Sequence, residues 1–211
     1  ATVQSLPELN LPAEAGAEYY VGLEHLDSDS LKIRRWGKPT DVEATKLRFR
    51  KGDIIFGRRR AYQRKLAVAE FDGICSAHAM VLRARPEVVA PEFLPFLMQG
   101  DIFMKRAVEI SVGSLSPTVN WRTLAAQDFA LPPLEDQEKC AKTFWALEGV
   151  RDSLSTLHRA TNAVWSAAAS NSSAMLIVAR KFPLRTSSTT LLTVHSEASS
   201  RLSIMPNAVR G

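Results

Sequence analysis

Residues that could catalyse a reaction or bind a metal are few in this chain, and their spacing does not complete a known site. Cys75 and His78 have the spacing of two zinc ligands, but a second pair is missing because the other histidines are scattered. The chain has neither a Walker-type loop nor a GxGxxG motif for a nucleotide phosphate. No lysine has an acidic residue two positions before it, which excludes the core motif of many metal-dependent nucleases. We therefore predict a protein that binds but does not catalyse, with no metal or other cofactor.

Positive charge is concentrated between Lys32 and Lys65. This segment has thirteen Lys and Arg residues against three acidic ones, a net charge of +10, whereas the whole chain carries +5. Arginines predominate, and their planar guanidinium groups suit phosphates and guanine edges. In the densest part, which begins at Arg58, Tyr62 and Gln63 add a stacking ring and an amide that can bond to base edges. The segment predicts a nucleic-acid-binding surface, and a solvated charged face is the competing interpretation.

We divide the candidate DNA-binding residues into a main loop and a set of phosphate clamps. The main loop comprises Arg58, Arg59, Arg60, Tyr62, Gln63, Arg64 and Lys65. The clamps are Arg34, Arg35, Lys46, Arg48 and Lys51. His78 is a candidate for base contact, and a satisfied, partly buried histidine explains it equally well. The turn at Gly113–Asn120 could also approach DNA through its hydroxyl and amide groups, although ordinary turn chemistry accounts for them too.

Short strands must position these residues. Apolar or alternating runs predict strands at Tyr19–Leu23, Leu31–Trp36, Leu47–Arg50, Asp53–Gly57, Leu66–Ala69 and Ala79–Leu82. Two short helices are expected at 92–98 and 102–108, and a closing strand at 129–131. Residues 1–18 are expected to be a loosely held lead-in. The pattern predicts a compact α+β domain over residues 1–133.

A single long helix is expected over residues 134–178. With Cys140 at position a, nine of the twelve a and d positions are apolar and none is charged, which is typical of a coiled coil. Such a rod cannot bury its apolar stripe on a small domain, so it needs a partner helix. The predicted helix-pairing residues are Leu147, Val150, Leu154, Leu157 and Val164. Residues 179–211 are expected to be poorly ordered or truncated.

Hydropathy and cysteine content indicate the compartment. No run approaches the roughly eighteen consecutive apolar residues of a membrane-spanning helix, so a membrane protein of that kind is excluded. The two cysteines, Cys75 and Cys140, lie far apart and suit incidental thiols in a reduced compartment. A cytoplasmic location is therefore expected.

Several segments together resemble the specificity subunits of type I restriction–modification systems. They are YVGLEHL at 20–26, FRKGDIIFG at 49–57, KLAVA at 65–69, GICS at 73–76, and LPPLEDQ at 131–137, which opens the long helix. The resemblance covers residues 17–178, and it depends on the order and spacing of motifs that are individually weak.

The resemblance implies that residues 1–133 are a target-recognition domain for one half of a bipartite, double-stranded DNA site. It also implies that residues 134–178 are a conserved-region helix that acts as a coiled-coil spacer. Expected partners are a methyltransferase subunit that binds S-adenosylmethionine and a restriction subunit of the same system. Family members have two recognition domains and two helices, whereas this chain has one of each. Three alternatives follow: a half-subunit that pairs through the long helix with a copy of itself or with a second half-subunit, a truncated gene product, or a fragment.

Two other functions remain open at this point. The chain could be a coiled-coil assembly module whose basic face binds RNA or an acidic protein. It could also be a decoy that occupies the methyltransferase and shows no preference among DNA sequences.

Overall fold

The computed structural model describes residues 3–5, 9–10, 16–42 and 46–170. The predicted C-terminal tail, and residues 171–178 of the predicted helix, lie outside the described residues. The strands are β1 (Val3–Ser5), β2 (Leu9–Asn10), β3 (Tyr20–Val21), β4 (Lys46–Phe49), β5 (Ile54–Phe56), β6 (Leu66–Val68), β7 (Gly73–Ser76) and β8 (Met80–Ala84). The helices are α1 (Leu94–Gln99), α2 (Asp101–Glu109), α3 (Trp121–Ala125) and α4 (Leu134–Ser170).

Two four-stranded sheets form the centre of the domain. The first has the order β1–β8–β5–β6 with antiparallel neighbours. The second has the order β2–β4–β7–β3, in which β3 runs parallel to β7 and the other neighbours are antiparallel. The α+β fold class predicted from the sequence is confirmed.

Both faces of the first sheet are buried, and strand β5 shows why. Successive side chains of a strand point to opposite faces, and Ile54, Ile55 and Phe56 are all buried. Ile55 packs with Val21 and Phe49 of the second sheet, whereas its two neighbours pack in a core shared with the helices. The run of apolar residues that predicted a buried strand therefore reflects a sheet covered by helices on one side and by a second sheet on the other.

The lead-in was predicted to be loosely held, but it contributes strands β1 and β2. Val3–Ser5 pairs with the outer edge of β8, and Leu9–Asn10 pairs with β4. An uncovered strand edge exposes unpaired backbone groups, and pairing with these two segments satisfies them. Composition alone does not reveal such pairing, because the edges that need covering lie more than thirty positions away.

Three further elements differ from the sequence-based expectations. Segment 31–36 is not a strand, although Leu31 and Ile33 are buried as the alternation predicted. Asp72–Gly73 is a turn signal in the sequence, but Gly73 begins the inner strand β7, where a Cβ atom would approach the Phe49 ring to 2.7 Å. Helix α3 was not predicted. Residues 129–131, which were expected to form a closing strand, are described and are not a strand.

Helix α4 is continuous over 37 residues, a length of about 55 Å at the rise of an α-helix. The chain divides into two units after Ser153, so the helix contributes to both. In the first unit, Gln137, Ala141 and Glu148 are buried against the domain. The Gln137 side chain accepts a hydrogen bond from the amide of Ala90 at 2.9 Å and donates to the carbonyl of Pro132 at 2.9 Å.

The predicted coiled-coil residues lie on a different face of α4 from this docking face. The side chains of Leu147 and Val150 are 60% and 57% exposed in the first unit. In the second unit Leu154, Leu157 and Val164 are 61%, 60% and 69% exposed. The sequence predicted the apolar stripe but not the docking face, whose buried members include a glutamine and a glutamate. Within the described ranges, no helix combines the length and apolarity needed to cross a bilayer.

Candidate nucleic-acid interface

The main-loop residues gather at one end of the first sheet. Phe56 pairs with both Leu66 and Met80, so the loop between β5 and β6 and the turn between β7 and β8 leave the sheet side by side. An open groove of about 390 Å³ lies between them. It is lined by Leu23, Glu24, Arg59, Arg60, Gln63, Lys65, Ser76 and His78. Five of these residues were predicted as DNA-binding from the sequence.

The β5–β6 loop has a constrained backbone. A short 3-10 turn at Ala61–Gln63 is bracketed by Arg60 and Arg64, whose φ angles of 58° and 54° lie in the left-handed region. Non-glycine residues adopt this region uncommonly, so the surrounding contacts must hold the backbone there. Ala61 is buried beneath the turn while Tyr62 is 54% exposed at its surface. The loop is therefore anchored at its centre and presents polar groups outward.

A second loop, residues 112–118, supports the first. The guanidinium groups of Arg59 and Arg60 both donate to the Ser116 hydroxyl, at 3.1 and 3.2 Å. The Arg60 amide donates to the carbonyl of Pro117 at 2.7 Å, and the Val119 amide donates to the carbonyl of Arg58 at 2.9 Å. The predicted polar turn thus lies against the basic loop and orients two of its arginines.

His78 is held as a neutral ring. Its Nε2 atom lies 3.4 Å from Nη1 of Arg59, and because a guanidinium can only donate, Nε2 must be the acceptor. The proton then lies on Nδ1. Burial, followed by the charges of Arg59, Arg58 and Lys46, lowers the pKa of His78 below its ordinary value. The groove therefore contains a neutral hydrogen-bond donor beside two guanidinium groups.

Two other main-loop residues have partners within the protein. Arg64 donates to the carboxylates of Asp29 at 2.5 Å and Asp101 at 3.1 Å, and to the carbonyl of Gln99 at 2.6 Å. The bond to Asp29 is the main cause of a raised pKa for Arg64. The ammonium group of Lys65 donates to the carbonyl of Leu23 at 2.6 Å, although the residue also lines the groove.

The predicted phosphate clamps do not line the groove. Arg34 forms an ion pair with Asp152 of α4. The same carboxylate also pairs, at 2.5 Å, with Lys32, which was not among the predicted clamps. Arg35 pairs with Asp27. Lys46 is buried, with its ammonium group 5.2 Å from the centre of the Tyr20 ring. The remaining two clamps differ in exposure, since Arg48 is half-buried and Lys51 is exposed.

Sequence reasoning missed three groove residues, Leu23, Glu24 and Ser76. Glu24 follows β3 in a turn, and no signal in the sequence places that turn next to a loop some 35 positions later. A carboxylate at the edge of a cationic groove can accept a hydrogen bond from the amino group of cytosine. Glu24 therefore adds an acceptor to a site otherwise dominated by donors.

The pair that suggested zinc binding has no metal site around it. Cys75 is buried in strand β7, and burial raises the pKa of its thiol to about 12, so the group is an inert core side chain. Over the portion of the chain that the structure describes, no group of three or more His, Cys, Asp or Glu residues could hold a metal ion.

Comparison with known proteins identifies relatives. Residues 32–160 match the family model of the type I restriction modification DNA specificity domain. The chain is similar to the type I restriction enzyme EcoDI specificity subunit of Escherichia coli, at 26% identity over 113 residues, which is 54% of this chain and 25% of that protein. It is also similar to the solved HsdS subunit from Thermoanaerobacter tengcongensis, with a TM-score of 0.58 and 25% identity, covering 90% of this chain and 52% of that one.

A second solved chain belongs to a study of the complex assembly and conformational transition of the type I R-M system. It matches with a TM-score of 0.60 and 25% identity, covering 88% of this chain and 49% of that chain. The present chain therefore spans about a quarter of the curated relative and about half of each solved relative.

Proposed function

The chain belongs to the family of type I restriction–modification DNA specificity domains, and from this membership we propose that it recognises one half of a bipartite DNA target and has no catalytic activity of its own. The observation that carries the proposal is the groove in which Arg59, Arg60, Gln63, Lys65 and His78 converge. In one open site it combines cations for phosphates with donors and an amide for base edges.

The two arginines are the main proposed DNA contacts. Each guanidinium has five donors. The Ser116 hydroxyl takes one from each arginine, and His78 takes a second one from Arg59. The remaining donors are available to phosphate oxygens or to the two acceptors of a guanine edge. Because Ser116 restricts both side chains, less conformational entropy is lost when they bind.

Base discrimination is proposed for three neighbouring side chains in the same groove. Gln63 has an amide that can bond to adenine through a donor and an acceptor. Neutral His78 offers a donor, and Glu24 offers an acceptor. The exposed ring of Tyr62 lies outside this set and is proposed to contact the sugar–phosphate backbone.

Helix α4 is proposed to act as the spacer, with its exposed stripe pairing with the same helix of a second copy or of a second half-subunit. The stripe is apolar and 57–69% exposed at its five predicted positions, and such residues stabilise a helix pair when buried. In this proposal the paired chains bind, in the cytoplasm, a methyltransferase subunit that carries S-adenosylmethionine, and a restriction subunit joins them. The DNA target then directs where those subunits act.

The proposal is tested by selection from a pool of randomised duplexes with the full chain, followed by competition. We expect recovery of a defined half-site, and we expect its binding to persist when an excess of structured RNA is added. If the chain binds RNA and duplex equally, it is an RNA-binding or assembly module. If it binds the methyltransferase but selects no sequence, it is a decoy.

A further inference from the structure

Three separate segments of the domain meet at the side chain of Arg64. Its Nε atom donates to Asp29 in the loop after β3, its Nη1 atom to Asp101 at the start of α2, and its Nη2 atom to the carbonyl of Gln99 at the end of α1. All three guanidinium nitrogens are therefore used inside the protein. The Arg64 side chain is only 30% exposed as a result.

The contact between Arg64 and Asp29 also involves the backbone. The Asp29 amide donates to the carbonyl of Arg64 at 3.2 Å, and the adjacent residues Ser28 and Lys65 form an isolated β-bridge. Both Asp29 and Arg64 have positive φ angles of 54°. A backbone hydrogen bond therefore joins two residues in the sparsely populated left-handed region, and an ion pair joins their side chains.

Helix α4 holds the far side of this contact. Arg151 donates to the carbonyl of Asp29 at 2.8 Å and forms an ion pair with Glu148, one turn earlier on the helix. Glu148 is buried although it is charged, which is costly without such a partner. Asp29 is therefore fixed by Arg151 on one side and by Arg64 on the other.

Because Arg64 belongs to the β5–β6 loop, its contacts also support the loop residues that line the groove. It follows the 3-10 turn directly, and its own amide bonds to the carbonyl of Ala61 at 2.9 Å. At the other end of the turn, Arg60 points its guanidinium at Ser116. If Arg64 were released, the left-handed backbone at residue 64 would lose its support, and Gln63 and Arg60 would lose their orientation in the groove.

We propose that Arg64 is a positioning residue, which does not contact DNA but fixes the recognition loop in place from its anchor on Asp29. This inference rests on the proposed function, because the loop that Arg64 positions is the one proposed to bind DNA. Arg64 therefore has a different role from Arg59 and Arg60, although the sequence predicted all three as DNA contacts.

The variant that distinguishes positioning from contact is Arg64→Lys in the full chain. Lysine keeps the charge but cannot donate in three directions at once. For a positioning residue, we expect R64K to weaken binding to the duplex selected by the wild type about 5- to 150-fold, the range for one mismatched base pair. Binding to an unrelated duplex and the salt dependence of binding should not change. The matched control is Arg106→Lys, at an exposed α2 arginine that bonds to Gln127, and it should behave as wild type.

A second partner makes the test independent of the arginine. Asp29→Asn tolerates the left-handed backbone but weakens the ion pair, so D29N should reproduce the loss of specific affinity. The double variant D29N/R64K should bind no more weakly than R64K alone, because both changes remove one interaction. A fully additive double variant would contradict the proposal.

Amide hydrogen exchange tests the positioning role without DNA. In R64K, the amides of Gln63 and Arg64 should exchange faster than in the wild type, while those of β5 and β6 keep their wild-type rates. Unchanged exchange at both loop amides overturns the proposal. The proposal is also overturned if R64K binds DNA with wild-type affinity and Arg64→Ala lowers the salt slope by about 0.9. Those two results together would indicate that Arg64 contacts a phosphate. If the wild type selects no duplex, the proposed function fails and the exchange rates still decide the role of Arg64.

Discussion

At the scale of single residues, the protonation of His78 should make the DNA affinity of the groove depend on pH. Burial and the charges of Arg59, Arg58 and Lys46 keep its pKa low in the free protein. DNA phosphates carry the opposite charge, so binding should raise this pKa and favour uptake of a proton. By linkage, a group that takes up a proton on binding makes affinity rise as pH falls.

We therefore predict that DNA affinity of the wild type rises as the pH is lowered from about 7.5 to about 5.5, around the ordinary histidine pKa. His78→Asn keeps a polar side chain without a titratable ring and should flatten the profile. The measurement is fluorescence anisotropy at constant ionic strength. Equal pH responses of the two proteins would show that His78 lies away from the bound phosphates.

The partners of the basic residues explain why the charge pattern indicated a binding surface but not all of its members. Arg59 and Arg60 lie in the open groove, whereas Arg34 pairs with Asp152, 118 positions later. A sequence records the sign of a charge but not the distant acid that neutralises it. Lys46 illustrates the same limit, because the Tyr20 ring that covers it belongs to another strand.

At the scale of elements, helix α4 has two distinct faces. One face docks on the domain through Gln137, Ala141 and Asp152, and the other carries the exposed stripe that includes Leu147 and Val150. Heptad periodicity detects the stripe because its members are apolar. The docking face was not predictable, since its polar members look like ordinary solvated positions until their partners are known.

Asp152 gives the docking face a predictable acid sensitivity. Its bonds to Lys32 and Arg34 lower the pKa of its carboxyl in the folded protein. A carboxyl with a lowered folded pKa stabilises the fold above its unfolded pKa of about 3.9, and this stabilisation is lost as the pH falls through the folded pKa.

Asp152→Asn should therefore reduce the free energy of unfolding by about 1.5 kcal/mol at neutral pH, the lower end of the range for hydrogen bonds to charged groups, because the asparagine oxygen can still accept one bond. The difference from wild type should shrink as the pH falls below the unfolded carboxyl pKa of about 3.9, because protonation of Asp152 removes its charge. Urea unfolding at neutral pH and over a series of acid pH values measures it, with the exposed Asp128→Asn as the charge-matched control. A deficit in D152N that persists unchanged in acid would contradict the ion-pair explanation.

The strands show a similar division between what local pattern predicts and what it does not. Ile54–Phe56 was predictable because an apolar run bounded by glycines indicates a buried strand. Strands β1 and β2 were not, because they exist to cover edges formed by distant segments. The groove itself depends on the same long-range pairing, since it forms where the ends of β5, β6 and β8 come together.

At the scale of the whole molecule, the exposed stripe of α4 predicts that the chain associates. Leu154 and Leu157 are more than half exposed, and a second α4 offers the matching apolar surface. In the absence of other subunits we expect a homodimer by sedimentation equilibrium. Leu154→Glu with Leu157→Glu should give a monomer, because the two charges would be buried at the seam.

The control for this prediction adds the same charge beside the seam. Ser155 and Thr156 lie in the same helical turn, and both are exposed. Ser155→Glu with Thr156→Glu should leave the dimer intact. Loss of association in both double variants would indicate a general charge effect, and a wild-type monomer would show that the stripe is reserved for another subunit.

The groove around Arg59 and Arg60 is proposed to bind the phosphates of duplex DNA. This is tested by the slope of log affinity against log salt for the wild type and for Arg59→Ala with Arg60→Ala. We predict that the double variant loses about 0.9 in slope for each phosphate contact removed. Lys139→Ala with Arg159→Ala removes the same charge from exposed positions of α4 and should keep the wild-type slope. Equal slopes for all three proteins would show that Arg59 and Arg60 do not bind DNA phosphates.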